Sequence, residues 1–348
     1  MNTKTLIGLV IVLIVGAGLY YISSSKTSIN TSERIGSPIL PGLLESVNNI
    51  SQITITQAGN ETVATLKASG EGWTIEERND FPADISKIRA VALALAQASI
   101  IEEKTSNPEL YHKLGVEDLN LAEAQGMQVR LDYGDQSQTL IVGKPGPQIN
   151  KNRYVRLADS ETSWLVDKKI DVKHDAAYWL RKDLFSVEPD EGLKVDIIMP
   201  DNSRLIIQNS HQEDNTFAVA NLSDPNSQVV QAELDQVTNA LSSFQLLDVA
   251  KAEIFADNEP TMHVEYLLKQ GMVIKLTAYE LDKDHFMAIE IAQAPPELDI
   301  ELDDATLATI SELQKTTMGW VFKIPNVTYE AMFKRESDVL AITEDQLN

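Results

Sequence analysis

Between residues 50 and 340 the chain runs twice through the same ordered set of hydrophobic patterns, and that repetition constrains its fold more than any other feature. In the first half Ile53 and Ile55 alternate, then Thr62, Ala64 and Leu66, then Trp73 and Ile75. Alternation with a period of two marks antiparallel strands buried on one face. Asp84 then occupies an N-cap position, and Ile85, Ile88, Ala92 and Leu95 follow at helical spacing. In the second half Val195, Ile197 and Met199 alternate, then Leu205 and Ile207, then Phe217 and Val219. The helix that follows is predicted from Leu234, Val237, Leu241 and Phe244.

The parallel continues. Val129–Tyr133, a turn at Gly134-Asp135 and Leu140–Gly143 make a hairpin, matched by Val264–Tyr266, a turn at Gln270-Gly271 and Val273–Leu276. Tyr154–Leu157 and Met287–Glu290 supply the next strand of each half, and Trp164–Val166 and Trp320–Phe322 the closing one. The expected fold is α+β. Two tandem duplicated modules, 50–185 and 192–340, each consist of antiparallel strands with one or two packed amphipathic helices, and a frayed tail follows at 341–348.

Ahead of the modules stands Leu6–Ile22, an uncharged apolar run between Lys4 and Lys26. At 1.5 Å per helical residue it reaches across a hydrocarbon core of about 30 Å. A cleaved signal peptide would end in small residues; this run ends in Leu19-Tyr20-Tyr21-Ile22, and tyrosine suits the membrane interface. Residues 1–26 are therefore expected to form an N-terminal transmembrane anchor, with Leu6, Ile14 and Ile22 spaced along it. Residues 27–49 form a tether whose apolar patch, Ile39-Leu40-Pro41-Gly42-Leu43-Leu44, docks on the body. Long domains after such a segment are usually translocated, which puts the body outside the cytoplasm.

All 52 acidic residues and 27 of the 29 basic ones follow residue 26, giving the body a formal charge of −25. So acidic a surface repels nucleic acid and anionic headgroups, and none is expected as a partner. Cysteine is absent, which removes disulfides, thiolate nucleophiles and cysteine-based metal sites. The five histidines, His112, His174, His211, His263 and His285, have no metal-ligand spacing. His285, beside Asp282 and Asp284, reads as part of a polar strand turn. The acid run Glu297–Asp304 has no turn-forming glycine of the kind a calcium loop uses. No nucleophile elbow, P-loop or dinucleotide fingerprint occurs, and the prolines of Gly143-Lys-Pro-Gly-Pro147 remove amide donors that a phosphate nest requires. The four tryptophans read as core. No catalytic, cofactor-binding or metal-ligating residue is nominated, and no cofactor is expected.

Several short motifs occur in a characteristic order: Ile50-Ser-Gln-Ile53-Thr-Ile55, Gly72-Trp73-Thr-Ile75, Phe81-Pro82-Ala83-Asp84, Tyr111-x-x-Leu114-Gly115-Val116, Leu140-x-Val142-Gly143, Tyr154-Val155-Arg156-Leu157 and Trp164-Leu-Val166. With the N-terminal apolar segment, this series resembles the bacterial family known as domain of unknown function 4340, over about residues 40–335. The chain departs from the family's Gly-Leu-Asp-x-Pro step, reading Gly115-Val116-Glu117-Asp118, and its second module carries fewer of the motifs. The resemblance implies a single-pass protein of the bacterial inner membrane with a periplasmic body. It further implies association with ABC-type permeases and with auxiliary proteins like those of gliding-motility transporters. The expected role is thus a non-catalytic scaffold or accessory subunit of an envelope ABC-type transport complex. The alternative is a periplasmic binding module for a glycan, peptide or solute, held in a cleft between the modules.

Overall fold

The computed structural model of the chain describes residues 34–341 apart from Glu71, Pro189, 212–215 and Ser243. The expected anchor, with Leu6, Ile14 and Ile22, lies outside the described residues, as does the tail after Ala341. Among the described residues no helix is long and apolar enough to cross a membrane.

A short helix, α1 (Leu43–Ser46), precedes strands β1 (Ile50–Gln57), β2 (Glu61–Ser69), β3 (Gly72–Ile75) and β4 (Phe81–Pro82). Helix α2 (Ile85–Gln97), β5 (Ile100–Glu103) and the single-turn α3 (Tyr111–Leu114) come next. Strands β6 (Met127–Tyr133), β7 (Gln136–Pro145), β8 (Arg153–Leu157) and β9 (Ser163–Val166) complete a nine-stranded sheet ordered β4-β3-β2-β1-β6-β7-β8-β9-β5.

The second run begins with β10 (Gly192–Ile198), β11 (Arg204–His211), β12 (Thr216–Val219) and helix α4 (Gln231–Thr238). It continues with β13 (Asp248–Lys251), β14 (Met262–Leu268), β15 (Met272–Leu281) and β16 (Asp284–Gln293). Helix α5 (Asp304–Thr317), β17 (Trp320–Ile324) and helix α6 (Asn326–Met332) end it. Its eight strands are ordered β12-β11-β10-β14-β15-β16-β17-β13. With β4 set aside the two orders are the same. The class is α+β, with two antiparallel sheets and few helices.

Registers strengthen the correspondence. The row Ile55–Val129–Leu140–Leu157 runs straight across β1, β6, β7 and β8. The row Ile197–Val264–Leu276–Ile289 does the same across β10, β14, β15 and β16. Seven of these eight side chains are buried, Leu157 being half-buried. Each of the seven contributes about 1.5–3 kcal/mol when removed from water. A one-residue slip would turn a whole row to the opposite face, so the alternation fixes the register.

Helix α2 starts where its cap predicts: the Asp84 carboxylate accepts the Ser86 N–H at 2.9 Å. Helix α4 is shorter than its spacing implies, ending at Thr238. The sequence beyond is Asn239-Ala-Leu-Ser242, and the Ser242 hydroxyl donates to the Asn239 carbonyl at 2.8 Å, the local competition that ends helices. Leu241 and Phe244 are still buried, since the turns that replace the helix keep them on the same side.

Grouped by compactness, the described chain forms two units: residues up to Val63 with Arg89–His174, and Ala64–Ile88 with Asp175 onward. In the first, the tether patch docks through three of its residues, while Pro41, Gly42 and Leu44 are exposed. Ile39, Leu40 and Leu43 are buried, and the Ile39 N–H donates to the Ala98 carbonyl at 2.9 Å. In the second, the Phe81 ring lies edge-on to Trp320 at 5.0 Å, and Arg78 grips Asp248 through two hydrogen bonds of 2.6 and 3.0 Å. Trp164 and Trp179 are core residues as expected; Trp73 and Trp320 are only half-buried.

Candidate functional site

In the second unit the two faces of the eight-stranded sheet have different fates. One face carries Val195, Ile197, Val264, Tyr266 and Leu276 and is packed beneath α4, where the Tyr266 hydroxyl donates to the Val237 carbonyl at 2.8 Å. The intervening residues of the same strands point the other way and form three rows across β10, β14, β15 and β16. The first is Lys194–Leu267–Val273–Ala292, the second Asp196–Glu265–Lys275–Glu290 and the third Ile198–His263–Thr277–Ala288.

The apolar end of this face is closed by the segment between β16 and β17. Leu267, Val273 and Ala294 form a small buried cluster with Leu193, Ala292 and Ile300 packed against it. Ile300 and Leu302 sit over Gly271, whose φ of +81° turns the β14–β15 hairpin and whose missing Cβ leaves room for them. Asp303 caps α5 by accepting the Thr306 N–H at 2.7 Å. The acid run Glu297–Asp304 thus supplies a packing strap and a helix cap.

The remaining two rows are open. They floor a groove of about 1020 Å³ whose wall is the C-terminal end of α5 with Gly319 and Trp320. Gln314 in that wall is anchored by donating to the Ile291 carbonyl at 2.8 Å, and Met318 beside it is 74% exposed.

Charge on the floor is arranged in pairs. Asp196 is buried, with its side chain only 6% exposed, and receives a forked pair of hydrogen bonds from Arg204 and an ion pair from Lys194 at 3.0 Å. Burial pushes the Asp196 carboxyl up, but the hydrogen bonds from Arg204 and Lys194 outweigh it and hold the group below the ordinary carboxylate value. Lys275 pairs with Glu290 at 3.1 Å, and His263 shares a hydrogen bond with Thr277 at 3.1 Å. Glu265 lies directly between Asp196 on one neighbouring strand and Lys275 on the other, a like-charge and an opposite-charge placement. Among the described residues it makes neither a hydrogen bond nor an ion pair.

Alternation reveals these floor positions as the polar side of strands, but nothing in their spacing names them as a site. Strands far apart in the chain converge here only through the sheet order. Trp320, read as core, contributes to the groove wall. His285 lies in the turn region as expected: Asp282 and Lys283 form the tight β15–β16 turn with positive φ, and the imidazole stacks on Tyr329 at 3.8 Å. Among the described residues no group of three or more histidine, aspartate or glutamate side chains is placed to hold a metal ion.

The model of one family, Domain of unknown function (DUF4340), matches residues 73–270, more than half of the chain. No curated protein and no solved structure matches it.

Proposed function

The chain belongs to the DUF4340 family, and from that premise we propose that it is a membrane-anchored, extracytoplasmic scaffold or accessory subunit of an envelope ABC-type transport complex, without catalytic activity of its own. The observation that carries this reading is the groove on the second sheet. Its floor is wide and open, and its charged groups other than Glu265 are mutually paired rather than poised to exchange protons. Asp196 is held ionised by two cations, which suits a fixed recognition surface better than a general acid. The apolar segment Leu6–Ile22 would keep that surface near membrane partners, and the acidic body would steer it toward basic ones. The repeated strand order is taken as an internal duplication, in which the second copy acquired the segment Ala294–Gly319 and with it the groove wall.

The test is a crosslinked pull-down of the full-length chain from membranes beside a form lacking residues 1–26. Recovery of a permease or auxiliary subunit by the full-length chain is the expected result. Both forms returning alone would overturn the proposal.

A second reading has the same groove hold a glycan, peptide or solute. Its volume lies at the upper end of the range of small-molecule sites, about 300–1,000 Å³, although its floor is more charged than such sites usually are. The groove is lined wholly by residues of the second unit, and the binding alternative is transferred there. Saturable binding of an envelope glycan or solute, lost on filling the floor, would favour it.

A further inference from the structure

The two sheets share one strand order, so each position on the groove face of the second has a counterpart in the first. Matching the buried rows Ile55–Val129–Leu140–Leu157 and Ile197–Val264–Leu276–Ile289 sets the row Thr56–Gln128–Ile141–Arg156 against Ile198–His263–Thr277–Ala288. In the first unit that row is not open. The chain between β5 and β6 folds over it: Tyr111 and Val116 are buried against Ile141, with Leu114 and Tyr154 packed alongside. Arg156, 4% exposed, rises from the sheet to hold this cover, donating to the Val116 carbonyl at 2.9 Å and to the Asp118 carboxylate, with its guanidinium 4.7 Å from the Tyr111 ring centre. The cover's backbone comes so close to β7 that a Cβ on Gly143 would strike the Leu114 carbonyl.

In the second unit the counterparts of Ile141 and Arg156 are Thr277 and Ala288, both smaller, and they floor the groove. The connection from β13 to β14, which corresponds to the cover, is only Ala252–Thr261. Its Phe255 packs on Tyr279 at 5.3 Å, the residue that stands where the first sheet has Gly143. That end of the face is filled by the protein's own side chains, and the rows of Thr277 and Glu265 are left.

We propose that this groove is a docking site for a polypeptide segment of a partner protein, which takes over the second sheet the place that Tyr111–Asp118 takes over the first. The charge of the segment follows from the floor. The first sheet meets the Asp118 carboxylate of its cover with Arg156, and Arg130, paired with Asp132, stands in the adjacent row. The second has Ala288 in place of Arg156 and Glu265 in place of Arg130. Glu265 lies opposite Lys275 and within the field of Arg204 but, among the described residues, forms an ion pair with neither, because Lys275 is engaged by Glu290 and Arg204 by Asp196. The segment therefore carries an aliphatic residue, which seats on Thr277 and Ala288 beside Met318 and Trp320, followed by basic residues that face Glu265, the floor acid without an ion pair. Complementary charge of this kind selects the partner and its register more than it adds affinity.

This inference rests on the accessory-subunit reading, and its test separates the two. Titration calorimetry on the full-length chain compares two capped peptides: residues 112–120 of this chain, and the same nine residues with Glu117→Lys and Asp118→Lys. The lysine peptide is expected to bind at least about tenfold more tightly. Glu265→Lys is expected to reverse that order, and Ala288→Trp, which fills the floor, to abolish binding of both. Because Glu265 is at the half-exposed surface, its variant reports even if Ala288→Trp fails to fold. Absence of binding by either peptide up to about 5 mM, or a preference unchanged by Glu265→Lys, would overturn the proposal. A chain that ignores both peptides yet recovers a transport subunit from membranes would lose this docking mode and keep its accessory role.

Discussion

At the residue scale, two arginine sites show how this chain uses charge. Arg156 is buried and spends its guanidinium on the Val116 and Ser160 carbonyls and the Asp118 carboxylate. Arg156→Ala is expected to cost about 2 kcal/mol, the scale of leaving the Val116 and Ser160 carbonyls without their donor, since Asp118 is itself exposed. Arg156→Lys will recover little of it, because an ammonium lacks the planar fork; chemical denaturation measures both. Asp196 is the mirror case, a buried carboxylate under Arg204 and Lys194. Its pKa is lowered by folding, so its contribution is present in full above the ordinary aspartate value of about 3.9 and is lost as pH falls through the lower folded value. Asp196→Asn should therefore flatten the decline of stability with acid over that interval. An unchanged slope would mean the carboxylate is not what the cations stabilise. The Asp196 alternation is legible in the sequence as a polar face, but its partners are not: Arg204 lies on the next strand, and only the β10–β11 register brings the two together.

At the scale of elements, local signals and their failures have physical causes. The cap at Asp84, the turn at Asp282-Lys283 and the strand alternation depend on residues adjacent in sequence, and each is legible there. Helix α4 is overextended by its spacing because Leu234, Val237, Leu241 and Phe244 are satisfied equally by a helix and by the turns that bury the last two. The groove wall escapes sequence reading for a different reason. The segment Glu297–Asp304 shows acids alternating with Leu298, Ile300 and Leu302, and nothing in it says that Ile300 and Leu302 pack on Gly271. Asp303→Ala removes the cap of α5 and should destabilise the protein by about 1 kcal/mol, with hydrogen-exchange protection falling first in Asp304–Thr317. Gly143→Ala should loosen the opposite feature, the cover of the first sheet, because its new Cβ meets the Leu114 carbonyl. Exchange is then expected to accelerate across residues 108–119 while β14 to β16 keep their protection.

At the scale of the whole molecule, the same strand order occurs twice, and the corresponding faces of the two sheets are used differently. One is sealed by the chain's own Tyr111–Asp118, and the other is left as a groove whose charges are mostly paired among themselves. The proposed accessory role would place a transport partner over the open face. The most direct test is a photo-crosslinking residue placed at Thr277 on the groove floor of the full-length chain, in its own membranes, with Asp135 in an exposed turn as the control position. The account expects an adduct with a permease or auxiliary transport subunit from position 277 and none from 135. Adducts equal at both positions, or a groove that captures no such subunit, would contradict it.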